Sequence, residues 1–376
     1  MEKGEKMKNK IVTLVAAIVF VLLIPTLYST FFLGAVMDPY GKLDKLPVAL
    51  IKDTDKNNKL YTKLKDSDIF KFKIVNNKKA MHDLENGDVY GIISFEKDFS
   101  KKLTEFPTKH KSPKIHLKTG EGLNYSAKRI LTNAINQFVI RTNDTLSKTI
   151  IQQLNQLHVP VPDNIGHIVQ LKQKEEFPIK NNGAGMAPYI FSLTMFVGAI
   201  VTGQFIMRGF SEKESKFRFY YRKQFLFPLI IIFGQVLFLL LANRWVIHVG
   251  IEQFGKFVLF LLLTATTFCS IVVSLNKILP DLGSLVVLLL TMLQTSASGG
   301  SYPINLSTPG YQRLHVFLPM TYSVDGFRKL MSINNASIKN DIICLLIFLA
   351  ISQVVLYLAF LFHERQWNLE TSQTNK

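Results

Sequence analysis

The sequence predicts an α-helical polytopic membrane protein with six transmembrane spans and a small extracytoplasmic α/β domain between the first two spans. Three observations predict it. The apolar residues gather in six long runs, residues 38–185 form a Lys-rich stretch between the first two runs, and basic residues cluster on one side of the runs. Such runs exclude a single soluble domain, and a chain with 2 cysteines is no disulfide scaffold.

The first run, Ile11–Leu33, contains 23 residues without a charge. At about 1.5 Å per residue it exceeds the hydrocarbon core of roughly 30 Å. Residues 1–10 give it a basic flank, as in a signal peptide, but the run is long and no small-x-small cleavage site follows. We therefore expect an uncleaved membrane anchor.

Five further apolar runs follow the Lys-rich stretch. They are Met186–Met207, Gln224–Val246, Phe257–Leu275, Leu279–Ser298 and Asp341–Phe362. Residues 186–298 would thus hold spans two to five, and residues 341–362 the sixth. Six spans place both termini on the same side of the membrane.

Charge decides which side that is. Lysine and arginine are frequent in residues 1–10 and in the short connection 208–223, and the tail 363–376 adds Arg365 and Lys376. Because short basic loops stay in the cytoplasm, we expect these three segments there. Residues 38–185 and the segment 299–340 then lie outside the cytoplasm.

The outer stretch 38–185 alternates between strand and helix patterns. Short apolar or alternating runs predict strands, and apolar residues at helical spacing predict helices. The strands are Val48–Ile51, Lys71–Val75, Val89–Phe95 and Lys114–Gly120, and the helices lie near residues 76–88, 96–103 and 125–157. Its lysines are either a solvated surface or an attraction for an anionic envelope polymer or substrate.

Motifs for catalysis and cofactor binding are missing from the sequence. It has no phosphate-binding G-x-x-x-x-G-K-[ST] loop, no H-E-x-x-H or paired-cysteine zinc motif, and no G-x-S-x-G nucleophile elbow. We expect no enzyme activity, no metal and no cofactor. The basic charge is explained by membrane topology, so we expect no nucleic acid partner.

Two segments outside the spans have unusual compositions. In the connection 208–223, aromatic and basic residues interleave, which suits an interfacial helix that docks a cytoplasmic partner, or a short loop with aromatic anchors. The segment 299–340 is too polar to span and too apolar for an ordinary loop, so it is re-entrant, interfacial or a packed cap. The candidate residues are Glu212, Glu214, Lys216, Arg218 and Arg222 in the first segment, and Tyr302, Pro303, Phe317, Pro319 and Tyr322 in the second, as a candidate outer gate.

A third set consists of polar residues inside the runs. Such side chains are interhelical ties as often as substrate contacts, and both interpretations stay open here. The candidates are Gln204, Gln235, Asn243 and Gln294.

Three strings resemble the ABC-type-2 exporter permeases, and most closely the YhgE/Pip (phage infection protein) branch. They are GDVYGIISFEKDFSKKL at Gly87–Leu103, GGSYPINL at Gly299–Leu306 and HVFLPMTYSVDGFRKL at His315–Leu330. The layout of one span, a large outer domain and a five-span block is also similar to that family.

The resemblance implies an ABC-type-2 permease fold and a membrane subunit that works with a cytoplasmic ABC ATPase, on which ATP and magnesium are bound. It implies a homodimer or heterodimer of permease chains in membrane lipid. It further implies that Ser211–Lys223 couples to the ATPase, although the family string Glu-x-x-Gly-Thr reads Glu-Ser-Lys-Phe-Arg here. The alternative is a non-transporting surface protein, either a phage-adsorption receptor or a secretion-system scaffold.

Overall fold

A computed structural model describes residues 41–374, apart from residues 56, 157–160, 180–181, 210–215, 281 and 334–335. The side chains of residues 153, 182, 205–209 and 366–374 are not described either. The predicted first span, residues 11–33, lies outside the described residues. Within them the chain forms an α/β domain followed by a bundle of apolar helices.

The described part of the α/β domain contains one sheet of five strands in the order β2-β1-β3-β4-β5. β1 is parallel to β2 and β3, β3 is antiparallel to β4, and β4 is parallel to β5. The strands are β1 Pro47–Ile51, β2 Lys71–Val75, β3 Gly91–Phe95, β4 Lys114–Gly120 and β5 Gln170–Glu176.

The two faces of this sheet are covered differently. Side chains alternate along a strand, so Val48 and Leu50 of β1 enter one apolar core while Ala49 enters the other. The first core contains side chains of α1, α3 and α4, and the second those of α2. The helices are α1 Lys59–Lys65, α2 Asn77–Glu85, α3 Phe99–Lys109 and α4 Tyr125–Gln156.

The bundle follows the α/β domain in the chain. Its helices are α5 Asn182–Gly209, α6 Phe217–Ile247, α7 Phe254–Ile278, α8 Gly283–Ala297, α9 Pro309–His315, α10 Pro319–Ser332 and α11 Lys339–Thr374. The helix α6 carries a π-helical turn near each end, at Arg222–Leu226 and Asn243–Ile247. We call the end of the bundle beside the α/β domain the domain end, and the other the opposite end.

Four of the described helices are long and apolar enough to cross a membrane: α5, α6, α7 and α11. α8 is apolar but has 15 residues, which is about 22 Å of helix against a core of roughly 30 Å. The predicted run Leu279–Ser298 is therefore only partly helical. α5, in contrast, begins at Asn182, four residues before the predicted run Met186–Met207.

Packing around α7 explains why the bundle holds together. α7 is the most buried of the four long helices, and it contacts α5, α6, α8, α10 and α11. Gly326 of α10 lies so close to the Phe260 ring of α7 that an added Cβ would overlap the ring. Hydroxyls also join α7 to α11, since Ser270 Oγ and Ser352 Oγ are 2.6 Å apart.

Candidate functional site

The domain end is closed by a cap, which we define as residues 299–333. Arg328 of α10 donates from Nη2 to the carbonyl oxygens of Gly299 and Gly300, at 2.8 and 2.5 Å. Gly299 has a φ of +71°, which only glycine adopts without strain. Gly300 lies against the Tyr189 ring of α5, where a side chain would overlap the ring. The two glycines therefore let the chain turn sharply beneath Arg328.

A cluster of three charged residues joins this cap to α11. Lys329 Nζ lies 2.6 Å from Asp325 Oδ2 and 3.2 Å from Asp341 Oδ2. Asp341 in the first turn of α11 is 2% exposed, Lys329 is also buried, and Asp325 is 43% exposed. We call Asp325, Lys329 and Asp341 the charge cluster. Removing one member of a buried ion pair strands the other charge, so the cluster fixes α10 against α11.

The cap also fastens the α/β domain to the bundle. Ser332 Oγ donates to the carbonyl oxygen of Gly122 at 3.1 Å. Leu306 of the cap enters one apolar core of the domain, and Ile333 enters the other together with Ala336, which follows the cap. The domain and the bundle thus share buried side chains at this junction.

Ionisable groups of the domain lie at the same junction. Burial raises the pKa of the Tyr90 phenol to about 12, with Arg328 opposing the shift and Asp325 adding to it. Lys128 Nζ lies 3.0 Å from Glu121 Oε1 and 2.6 Å from Glu175 Oε1. Burial alone would lower the pKa of Lys128, but the hydrogen bonds to Glu175 and Glu121 raise it overall.

The five candidate gate residues all lie in the cap, but in different environments. Tyr302 lines a cavity of about 420 Å³ between α4, α5 and the cap. Pro303 is buried before a 3₁₀ turn, and Pro319 is buried at the first position of α10. Tyr322 donates from its hydroxyl to the carbonyl oxygen of Val316 at 2.8 Å. Phe317 is 71% exposed, so it is not held in the packed part of the cap.

Hydrogen bonds tie the polar candidates to neighbouring segments. Gln204 donates to Ser284 Oγ at 2.5 Å and joins α5 to α8. Gln235 donates to Thr202 Oγ1 at 3.2 Å and joins α6 to α5. These bonds show how the helices are held together, while a role in binding substrate stays a prediction.

Two other polar candidates lie near the domain end. Asn243 donates to and accepts from the backbone of Val249, so it caps the end of α6. The side-chain oxygen of Gln294 accepts from the Met320 amide at 3.0 Å, which ties α8 to the start of α10. Its amide nitrogen is buried without a hydrogen-bond partner.

The opposite end carries the candidate coupling segment. Glu212 and Glu214 lie outside the described residues. Lys216, Arg218 and Arg222 are exposed at the start of α6. Between them Phe217 contacts the Tyr357 ring of α11 edge-on, with centroids 5.0 Å apart. The first turn of α6 is therefore attached to α11 by aromatic rings, and its cations point to solvent.

Sequence reasoning missed the charge cluster. Asp341 was placed at a span end and was not assigned a partner, because Lys329 is twelve residues away in the chain. The i,i+4 spacing of Asp325 and Lys329 was the one available signal. Arg328 was missed for the same reason, since its partners are backbone carbonyls in a distant turn.

Comparison with known protein families identifies the family of this chain. The model of the family described as "ABC-2 family transporter protein" matches residues 11–362. The chain belongs to the ABC-2 transporter family. The resemblance read from the three sequence strings is thereby confirmed. Members of this family are membrane components of transporters and are not themselves catalytic, and in general they work with an ABC ATPase.

A curated relative supports the narrower branch. The chain is 30% identical over 168 residues to "Uncharacterized protein YhgE" of Bacillus subtilis (strain 168). The match covers 44% of this chain and 21% of that protein, so the chain aligns with about a fifth of the relative's length. No solved structure gives a significant match.

Proposed function

We propose that this chain is the membrane subunit of an ABC-type exporter, which moves a hydrophobic, lipid-like, drug or polymer substrate outward. A separate cytoplasmic ATPase supplies the energy. The family match over residues 11–362 carries the proposal. The domain end would face outward and both termini the cytoplasm, as the distribution of basic residues predicts.

The opposite end is suited to contact such an ATPase. Lys216, Arg218 and Arg222 present positive charge to solvent, and surface charge of one sign attracts a partner of the other sign. Phe217 and Tyr220 of the same turn pack on Phe360 of α11. A force on this segment would therefore act on α6 and α11 together.

α11 provides a route from that end to the other. The helix runs from Lys339 at the domain end to the aromatic contacts at Tyr357 and Phe360. Its first turn is held to the cap by Asp341 and Lys329. A movement of α11 would thus reach the cap and the candidate gate residues. Two permease chains, identical or different, would form the transport path between them.

The test uses the full chain in liposomes with ABC ATPase subunits from the same source. We expect one of them to co-purify and to hydrolyse ATP faster in the complex. R218E/R222E should weaken ATPase binding by about tenfold, because two attractive charges become repulsive. The matched control R141E/R313E changes two exposed arginines elsewhere, at α4 and the cap, and should bind normally.

Two results would contradict the proposal. If no ATPase subunit binds the wild-type chain, the exporter function fails and the surface-protein alternative gains. If an ATPase binds but R218E/R222E binds as well as the control, the exporter stands and the coupling segment is wrong.

A further inference from the structure

A groove of about 500 Å³ lies between α7 and α11 at the domain end. We call it the α7–α11 groove. It extends along α7 from Lys256 to Leu263, which is about 10 Å of helix. The start of α11 and the residues before it form the other side. The lining residues on which the argument depends are Lys256, Leu259, Leu263, Lys339, Ile342 and Ile343.

The walls of the groove are apolar and open toward the outside of the bundle. Leu259 is 69% exposed and Ile343 is 45% exposed. In a membrane protein such side chains face acyl chains, since only lipid is available there in quantity. The apolar part of the groove therefore fits a hydrocarbon chain.

Two cations stand at the end of this apolar surface, one from each side. Lys256 lies in the first turn of α7 and Lys339 is the first residue of α11, and both are exposed. Lys256 Nζ donates to the neutral Gln253 at 2.9 Å. A lysine stem can lie along apolar surface while its ammonium reaches the headgroup layer.

Nearby carboxylates do not neutralise these lysines in the part of the chain that the structure describes. Glu252 lies four residues before Lys256, ahead of the start of α7, and no ion pair joins the two among the described residues. Asp341 is buried and directed to Lys329. Two cations beside an apolar groove are complementary to an amphiphile whose head is anionic.

We propose that the α7–α11 groove binds an anionic phospholipid from the leaflet at the domain end. The phosphate lies between Lys256 and Lys339, and one acyl chain follows Leu259, Leu263 and Ile343. Because the groove contacts the first turn of α11, the bound lipid stabilises α11 beside the charge cluster. This site does not depend on the proposed function, since a lipid that binds here need not be transported.

Native mass spectrometry of the full-length protein in detergent tests the site. Phosphatidylglycerol is titrated and the first bound molecule is followed, with phosphatidylcholine as the neutral-headgroup comparison. A lysine near a membrane surface contributes about 1 kcal/mol, or roughly fivefold in affinity. K256Q/K339Q should therefore bind phosphatidylglycerol about twenty-five-fold more weakly and leave phosphatidylcholine binding unchanged.

Three further variants distinguish the effects of lysine charge, groove shape and misfolding on lipid binding. K109Q/K174Q removes two exposed lysines of the α/β domain and should bind lipid normally. K256R/K339R keeps both charges and should retain binding even if K256Q/K339Q folds poorly. I343W fills the groove and should weaken binding of both lipids.

The proposal is overturned if K256Q/K339Q loses no more phosphatidylglycerol affinity than K109Q/K174Q. Equal loss of both lipids in K256Q/K339Q would also overturn it, because the headgroup charge would then play no part. If I343W binds phosphatidylglycerol as well as the wild type does, the lipid does not lie in the α7–α11 groove and the proposal is also overturned.

Discussion

The two ends of the helical bundle are built from different side chains. At the domain end charged residues are buried beside partners: Lys329 lies between Asp325 and Asp341, and Arg328 binds two carbonyl oxygens. At the opposite end aromatic rings join α6 to α11 and Lys216, Arg218 and Arg222 are exposed, although Lys277 at the end of α7 is buried.

Buried amides sharpen this contrast. Gln224 near the start of α6 and Asn276 near the end of α7 are almost fully buried, yet neither amide oxygen nor amide nitrogen of either residue has a hydrogen-bond partner. Buried polar groups are normally paired. At the domain end the buried amide of Gln294 also lacks a partner for its nitrogen, but its oxygen accepts from the Met320 amide. The two amides at the opposite end have no hydrogen bond in this arrangement, so another arrangement could satisfy them.

The largest effect should come from breaking the charge cluster. D341A leaves Lys329 buried with one partly exposed partner, and we expect it to lower the free energy of unfolding by about 3 kcal/mol. D325A removes the more exposed carboxylate and should lower it by less than about 1 kcal/mol. Thermal unfolding of the purified full chain in detergent, together with hydrogen exchange over α10, measures both.

A double substitution separates charge from packing in the cluster. K329M/D341L replaces the buried pair by apolar side chains and should recover stability to within about 1 kcal/mol of the wild type. If D341A and D325A destabilise the protein equally, or if K329M/D341L is as unstable as D341A, the cluster does not fix the domain end.

Local sequence patterns predicted the elements whose apolar residues recur at strand or helix spacing. The strands at Lys71–Val75 and Lys114–Gly120 have the predicted bounds, and α4 begins at the predicted Tyr125. β5 at Gln170–Glu176 was not predicted, because it is a polar edge strand with little buried surface and hence no apolar alternation.

The site was predicted less completely than the fold. The gate residues share the cap as a sequence segment, but nothing local shows that Arg328 reaches Gly299 or that Lys329 reaches Asp341. These contacts depend on how α10 folds back on α8 and α11. The span-lining candidates Gln204 and Gln235 are hydrogen-bonded between helices, one of the two interpretations that the sequence left open.

A substitution at the opposite end of the bundle should stabilise the protein, by less than D341A destabilises it. Q224L replaces an unpaired buried amide by an apolar group of similar size, which should raise the free energy of unfolding by about 1 to 2 kcal/mol. If the unpaired amide serves a second arrangement, ATPase-coupled transport should fall as stability rises. The control Q312L removes an amide that donates to Asn305 and Ser307 in the cap, so it should destabilise. A lower melting temperature for Q224L would show that Gln224 is paired.

The smallest effect concerns the ion pairs at the junction. K128M removes the contacts to Glu121 and Glu175 and should lower the free energy of unfolding by about 1 kcal/mol near neutral pH. K174M, at a more exposed lysine that pairs with Glu176, should have no measurable effect. Hydrogen exchange over α4 and β5 of the full chain locates the change.

The pH dependence of this effect has a definite sign. The folded-state pKa of Lys128 is raised above its ordinary value of 10.5. The contribution of the Lys128 ion pairs to the free energy of unfolding is therefore complete below the unfolded-state pKa of Lys128. It is lost as the pH rises through the folded-state pKa. The stability difference between wild type and K128M should stay constant from pH 7 to about pH 10 and shrink above it. A difference that shrinks already between pH 7 and pH 9 would mean that Glu121 and Glu175 do not hold the Lys128 ammonium, and the junction would then depend on its apolar contacts and on Ser332.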